Sequence, residues 1–248
     1  MRGAQDLGCF PTGRHYPGIA HLLKVVAAGL AEEWPAEHVL SELPVVCIDT
    51  ETTGRDPNAD RIVEIACVRW QSGAVVARHG WLINPGIPIP KEAFDVHGIS
   101  DADVAEAKSF AGVALEVVEA MRGAVPMAYN AEFDRRFVLA ELSRAEAHGV
   151  DLPPACRSGV EWIDPLVWVR ELQKFEKGKS LGDVCLRLGI EIGTAHRATD
   201  DAEATLAVFE RLRKDTRVPT AYGAFVQEQR RLARLHDEER ARWRASRG

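Results

Sequence analysis

Three short stretches of this chain carry acids at spacings that could hold a divalent cation. Asp49 and Glu51 stand two residues apart directly after the apolar run Val45-Val46-Cys47-Ile48. The period-two alternation of a strand puts both carboxylates on one face, where they can grip one cation together. Two acids leaving a buried strand repel each other, which is acceptable only if they reach solvent or share a metal. In Tyr129-Asn130-Ala131-Glu132-Phe133-Asp134 an apolar run ends, Asn130 is a residue type suited to capping a helix, and Asp134 follows one turn later on the same face. In His196-Arg197-Ala198-Thr199-Asp200-Asp201-Ala202 a loop histidine precedes a helix whose first turn holds two aspartates, where the helix dipole favours acids in any case. Each stretch taken alone is also what a loop acid, a capping asparagine or a dipole-favoured acid leaves in a sequence. Only the three together carry the reading.

The elements that must position these acids follow from hydrophobic periodicity. Residues 45–48 read as a buried strand that stops at Asp49 and a loop at Gly54. Residues 61–70 and 74–83 are two further strand-like runs joined through Gln71-Ser72-Gly73, the start of an antiparallel meander. Over 109–122 the apolar positions Phe110, Val113, Ala114, Val117, Val118 and Met121 follow a 3.6-residue period behind Ser109 as N-cap. Residues 125–129 return to strand, and 131–148 form a second helix ending near Gly149. Further helices are expected over 165–173, 180–188 and 200–214. A meander followed by alternating helix and strand is an α/β pattern.

The chain-wide numbers bound what such a site could serve. With 248 residues, 46% hydrophobic and 27% charged, the chain has material for one domain of ordinary size plus extensions. The apolar stretch 18–31 contains His21 and Lys24 and falls short of the roughly 20 apolar residues of a membrane span. It is also too broken for a secretory signal, so no membrane partner and a cytoplasmic location are expected. Its positions Ile19, Leu22, Leu23, Val26 and Leu30 repeat at helical spacing. The five cysteines show no Cys-x-x-Cys pair and read as buried free thiols. The net charge of −6 divides into +6 over residues 211–248, with eleven Arg/Lys against five Asp/Glu, and −12 over the remainder. An acidic body with a basic tail suits a carboxylate metal site that meets a polyanion once cations neutralise it, and equally a solvated basic helix. The organisation expected is an N-terminal helical extension (1–43), a central domain (44–213) and a basic helical tail (214–248).

Asp49-Thr50-Glu51-Thr52-Thr53-Gly54, Asn130-Ala131-Glu132-Phe133-Asp134 and His196-x-Ala-x-x-Asp201 together resemble the three motifs of the DEDDh (DnaQ-like) exonucleases, in the family's order. Asp200 falls one residue short of the histidine-to-aspartate spacing and stays a dipole-favoured acid. Glu92-Ala93-Phe94-Asp95-Val96-His97-Gly98-Ile99 is similar to the substrate-side loop of the family's branch of polymerase III epsilon proofreading subunits, and Gly178-Lys179-Ser180-Leu181 is similar to a late helix of that branch. The resemblance covers about residues 44–213.

It implies an RNase H-like fold, a mixed sheet of about five strands flanked by helices, with Asp49 and Glu51 on a central strand. It implies two Mg²⁺ or Mn²⁺ ions held by Asp49, Glu51, Asp134 and Asp201, with Asp49 bridging and His196 as general base. Such paired ions stabilise the attacking and leaving oxygens of an in-line phosphoryl displacement, and histidine is the side chain whose ordinary pKa of about 6.5 suits proton transfer at neutral pH. It further implies that Glu51, Glu92 and His97 surround the terminal nucleotide, with Thr50 and Thr52 near its sugar and Asn130 in the substrate-binding set. Tyr129 departs from the histidine usual before the family's asparagine and offers a flat face to a base.

The activity so implied is 3′→5′ hydrolysis of phosphodiester bonds from a free 3′ end, releasing 5′-mononucleotides. Single strands or frayed 3′ ends are the substrate, and a DNA polymerase subunit is a candidate partner. The substrate-side loop tilts the choice to DNA, for proofreading or repair. An exoribonuclease on the same fold is the rival enzyme, since the motifs do not read the 2′-hydroxyl. An adaptor with little catalysis is the rival of another class, and it gives no reason for four converging acids and a histidine.

Overall fold

The computed structural model describes residues 28–146, 152–193 and 196–246. The helix expected over 19–30 lies, but for its last residues, outside them, as does the end of the 131–148 helix.

Strand β1 (Val45–Thr52) pairs antiparallel with β2 (Ile62–Gln71), which pairs antiparallel with β3 (Ala74–Leu82). Ser72 and Gly73 join the last two with φ of 52° and 86°. Positive φ at both positions belongs to the tight turn whose twist matches that of the strands it connects. The chain continues through α1 (Lys91–His97), α2 (Asp101–Val104), α3 (Phe110–Met121), β4 (Val125–Met127), α4 (Ala131–Arg144), α5 (Pro165–Leu172), α6 (Leu181–Leu188), α7 (Ala198–Leu212) and α8 (Tyr222–Ala245). The sheet runs β3-β2-β1-β4 with β4 parallel to β1, a mixed sheet with the acid-bearing strand inside it.

Four strands stand where about five were expected. The fifth place is held by one parallel bridge, Met127 to Ile163, in which Ile163 N–H donates to Pro126 O (2.8 Å) and Ala128 N–H to Ile163 O (3.1 Å). Asp164 and Pro165 come next; proline has no N–H to extend a ladder and fits the first turn of a helix, so the chain leaves the sheet as α5. β1 also differs from expectation. It runs through Asp49 and Glu51 to Thr52, because its pairing with β2 continues as far as Glu51 opposite Glu64 before a bulge.

The alternation along β1 feeds two cores. Val46 and Ile48 join Ile65 and Cys67 against α3 and α4, where Val117, Met121 and Phe137 are buried. Val45 and Cys47 join Val68 and Trp70 against α5, α7 and α8, where Trp168, Phe209 and Phe225 meet. Cys47, Cys67, Cys156 and Cys185 are buried free thiols, as expected; Cys9 lies outside the described residues. Neither expected side-chain cap forms: Ser109 and Asn130 precede α3 and α4 without a capping hydrogen bond from the side chain.

Helix α8 is sewn to the segment before β1. Ala31 N–H donates to Tyr222 Oη (3.0 Å), Leu40 N–H to Thr220 O (2.8 Å), Tyr222 N–H to His38 O (2.9 Å) and Gly223 N–H to Ala36 O (2.7 Å). A Cβ at Gly223 would lie 2.6 Å from that of Ala36, so only glycine permits this approach. Among the described residues no helix is long and apolar enough to cross a membrane.

Candidate active site

The acids of β1 share their face with Val45 and Cys47 and point towards α7, while Thr50 and Thr52 point towards α4. Asp134, in the first turn of α4, is 4% exposed and accepts a hydrogen bond from Thr50 Oγ1 (2.8 Å). β1 therefore orients Asp134 with one residue and presents its own acids with the two that flank it.

The third stretch is anchored by Glu64, which sequence reasoning missed. Glu64 lies on β2 opposite Glu51 and is 6% exposed. It pairs with the Arg197 guanidinium (Nη2 to Oε1, 2.8 Å) and accepts from Ala198 N–H (3.2 Å), which fixes the start of α7. His196 enters that helix in a left-handed conformation, φ 63°, and its N–H donates to Asp201 Oδ2 (3.3 Å). Ligand atoms of Glu51, His196 and Asp201 lie within 4.8 Å of one another. Asp49 and Asp134 stand outside that trio but within its field.

The electrostatics of the cluster are those of acids without a counter-charge. Burial pushes the Asp49 carboxyl well above the usual range, and Asp134, Glu51 and Asp201 push it further. Glu51 is raised to about 8 by burial, then by Asp201 and Glu64. Asp134 is raised by burial to about 7, against the pull of the Thr50 hydroxyl. Asp201 is raised by burial, which its bond from His196 offsets in part. The Arg197 guanidinium lowers Glu51 but is itself committed to Glu64. Four carboxylates held this way are a donor set that fits hard divalent cations, whose charge would offset both repulsion and desolvation.

Asp164 is the second residue missed. Its Oδ1 accepts from Asn130 N–H (3.0 Å) and Leu166 N–H (2.9 Å), and its Oδ2 from Ala131 N–H (3.1 Å). One carboxylate thus caps both α4 and α5, filling the role expected of the Asn130 side chain. Asn130 itself sits at φ 66°, a conformation that asparagine tolerates better than most residues. Glu64 was not findable from local spacing, since it acts on backbone far away in sequence; for Asp164 the cap on α5 is local, two residues before Leu166, and only its reach to Asn130 and Ala131 is hidden.

Beside the acids opens a cavity of about 480 Å³, rimmed by β1, α1 and α4. Thr50, Glu51, Thr52, Glu92 and His97 line it, five of the six residues expected to touch substrate. Asn130 is not among its lining residues. Phe133 is, although the sequence gives it no role beyond its place in the Asn130–Asp134 stretch. His97 is buried at the end of α1; its Nδ1 accepts from Ile99 N–H (3.0 Å), and burial lowers its pKa.

The exonuclease family model (RNase T) matches residues 46–209, a span that holds all three acid stretches. The chain belongs to this exonuclease family. The resemblance read from the motifs is thereby borne out. This exonuclease-family chain is 37% identical over 210 residues to a DNA polymerase III subunit epsilon-like protein of Rhodobacter capsulatus, covering 81% of this chain and 28% of that one. It is 32% identical over 170 residues to the PolC-type DNA polymerase III of Thermotoga maritima, covering 67% of this chain and 12% of that one. It therefore spans less than a third of the length of either relative. Exonuclease X, solved in complex with 5′ overhanging duplex DNA, superposes with a TM-score of 0.56 at 25% identity, over 75% of this chain and 98% of that one. Escherichia coli exonuclease I, solved with a dT13 oligonucleotide, has the same fold, with a TM-score of 0.61 at 19% identity over 70% of this chain and 41% of that one.

Proposed function

We propose that this protein is a divalent-metal-dependent 3′→5′ exonuclease that shortens DNA from a free 3′ end and releases 5′-mononucleotides. The observation that carries the reading is the convergence of Asp49, Glu51, Asp134 and Asp201: the other three all weigh on Asp49, and ligand atoms of Glu51 and Asp201 lie with His196 within 4.8 Å of one another. A purely structural cluster of this kind would only cost stability.

Two Mg²⁺ or Mn²⁺ ions, when bound, neutralise the acids and the phosphodiester and stabilise the entering and leaving oxygens. Asp49 would hold both ions, Glu51 and Asp201 one of them, and Asp134 the other. Thr50 fixes the Asp134 carboxylate through the 2.8 Å bond, so that it would be held in place to ligate an ion. His196 takes the proton of the attacking water at a ring nitrogen, and the Arg197–Glu64 pair holds the backbone that carries it. Thr52, Glu92 and His97 enclose the terminal nucleotide in the 480 Å³ cavity, with the Phe133 ring against the base. Asn130 positions the strand beside them.

DNA is preferred over RNA as substrate because the solved neighbour with the higher identity, exonuclease X, holds DNA. Proofreading with a DNA polymerase partner is the physiological setting favoured by the epsilon-like and PolC-type relatives.

The test is digestion of matched 5′-labelled single-stranded DNA and RNA oligomers with Mg²⁺ or Mn²⁺, beside the Asp49→Ala protein. A ladder shortening from the 3′ end, stronger on DNA and absent in the variant, is the expected result. Metal-independent products, or none from either oligomer, would overturn the reading.

A further inference from the structure

Away from the acid cluster, a cavity on the C-terminal helix combines mostly basic charge with an aromatic rim. It holds about 390 Å³ between α5, the loop after it and the second half of α8, and Arg170, Lys174, Lys179, His236, Arg240 and Trp243 line it. Glu239, the acid on its wall, is engaged with Lys174 (3.4 Å), and Arg240 pairs with Asp237 on its own helix. Such exposed pairs are weak and readily exchanged for phosphate oxygens.

Arg170 is the residue that asks for a ligand. Its guanidinium is half-buried and has no hydrogen-bond or ion-pair partner among the described residues. Burial and the neighbouring Arg240 disfavour its charge, and together they outweigh the pull of Asp164, Tyr129 and Asp237. Two facing guanidiniums, one of them unpartnered, are stabilised by an anion between them. His236 adds a buried Nδ1 without a partner among the described residues. Trp243, 56% exposed, stands at the rim as a flat apolar face.

The cavity adjoins the nuclease site. Tyr129, the residue before Asn130, donates from its hydroxyl to Lys179 O (2.6 Å), and Arg170 lies close enough to weigh on both the Tyr129 hydroxyl and Asp164. Tyr129 thus stands between the start of α4, which carries Asp134, and the Lys179 and Arg170 wall of this cavity.

We propose that this cavity is a strand-guiding subsite, in which Arg170 and Arg240 take backbone phosphates of the substrate strand on the 5′ side of the terminal nucleotide and Trp243 stacks on a base. The role rests on the nuclease reading above. It gives α8, which lies beyond the family-matched span, a part in substrate binding.

The experiment compares the full-length protein with Arg170→Ala and with the surface double variant R240A/W243A. Binding of a labelled oligothymidylate long enough to span both sites is followed by anisotropy with Ca²⁺ in place of Mg²⁺, over a salt series. Hydrolysis of the p-nitrophenyl ester of thymidine 5′-monophosphate, which has no upstream strand, is measured in parallel with Mn²⁺. Both variants are expected to bind the oligomer at least about fivefold more weakly, with a salt slope shallower by about 0.7 for each phosphate that the variant no longer neutralises. Ester hydrolysis should be unchanged. Unaltered affinity and slope in both variants would overturn the subsite, as would failure of the parent protein to bind the oligomer. Loss of oligomer binding in the variants of a parent that cleaves nothing would support the strand site while overturning the nuclease reading.

Discussion

At the scale of single residues, the site is governed by protons and cations competing for the same carboxylates. In the cation-free protein Glu51 and Asp134 hold their protons to about 8 and about 7, whereas in an unfolded chain such groups lose them near ~4. Between those limits the unfolded state binds fewer protons, so stability falls as pH rises from about 4 to about 8. Mg²⁺ should therefore raise the melting temperature more at pH 8 than at pH 5. A gain of about 5–10 °C at saturating Mg²⁺ follows from binding linkage in a domain of this size, and differential scanning fluorimetry in EDTA and Mg²⁺ at both pH values reads it. His196→Ala, by contrast, should leave that gain largely in place and lower the rate by about 10²–10⁴-fold, the usual weight of a general base. Single-turnover digestion separates the two effects.

At the scale of elements, the placing of α4 and α5 hangs on Asp164. Alanine there strips acceptors from three part-buried or exposed N–H groups at two helix starts, where loss of a capping side chain costs about 0.5–2 kcal/mol. Asp164→Ala should lower unfolding free energy by about 1–3 kcal/mol, the loss of two caps, and Asp164→Asn, which keeps one oxygen, by clearly less; urea titrations of both variants measure this. The contrast also shows what the sequence could convey. The acids of the cluster are legible because their spacing, two residues on a strand or one turn into a helix, is itself the geometry. β2, β3, α3 and α5–α7 are legible for the same reason, since apolar periodicity is a local property. Asp164 could be read locally as the cap of α5, next to Pro165, but its hold on α4 and that of Glu64 on Arg197 reach partners 34 and 133 residues distant, and nothing near them in sequence betrays those roles. Asn130 misled because its type suits a cap that the long-range carboxylate already supplies. The fifth strand shrank to a bridge because Pro165 diverts the chain.

At the scale of the whole molecule, the C-terminal helix is half core and half surface. Tyr222, Phe225, Val226 and Leu232 are buried, whereas residues 237–246 are exposed. Removing everything after residue 218 would therefore open the fold rather than trim a tail, and substitutions on the exposed half are the means of probing its charge. Phe225→Ala, which empties the space against Trp168 and Phe209, should cost about 3–5 kcal/mol by chemical denaturation.

The seam between residues 31–40 and the start of α8 means that neither stretch can detach while the other stays. Their amides belong to one opening unit. In native-state hydrogen exchange, Leu40, Tyr222 and Gly223 should slow together and share a single opening free energy, above that of residues 237–246. The two ends of the described chain thereby behave as one latch, and a blow to either, such as a side chain forced onto Gly223, is felt at both.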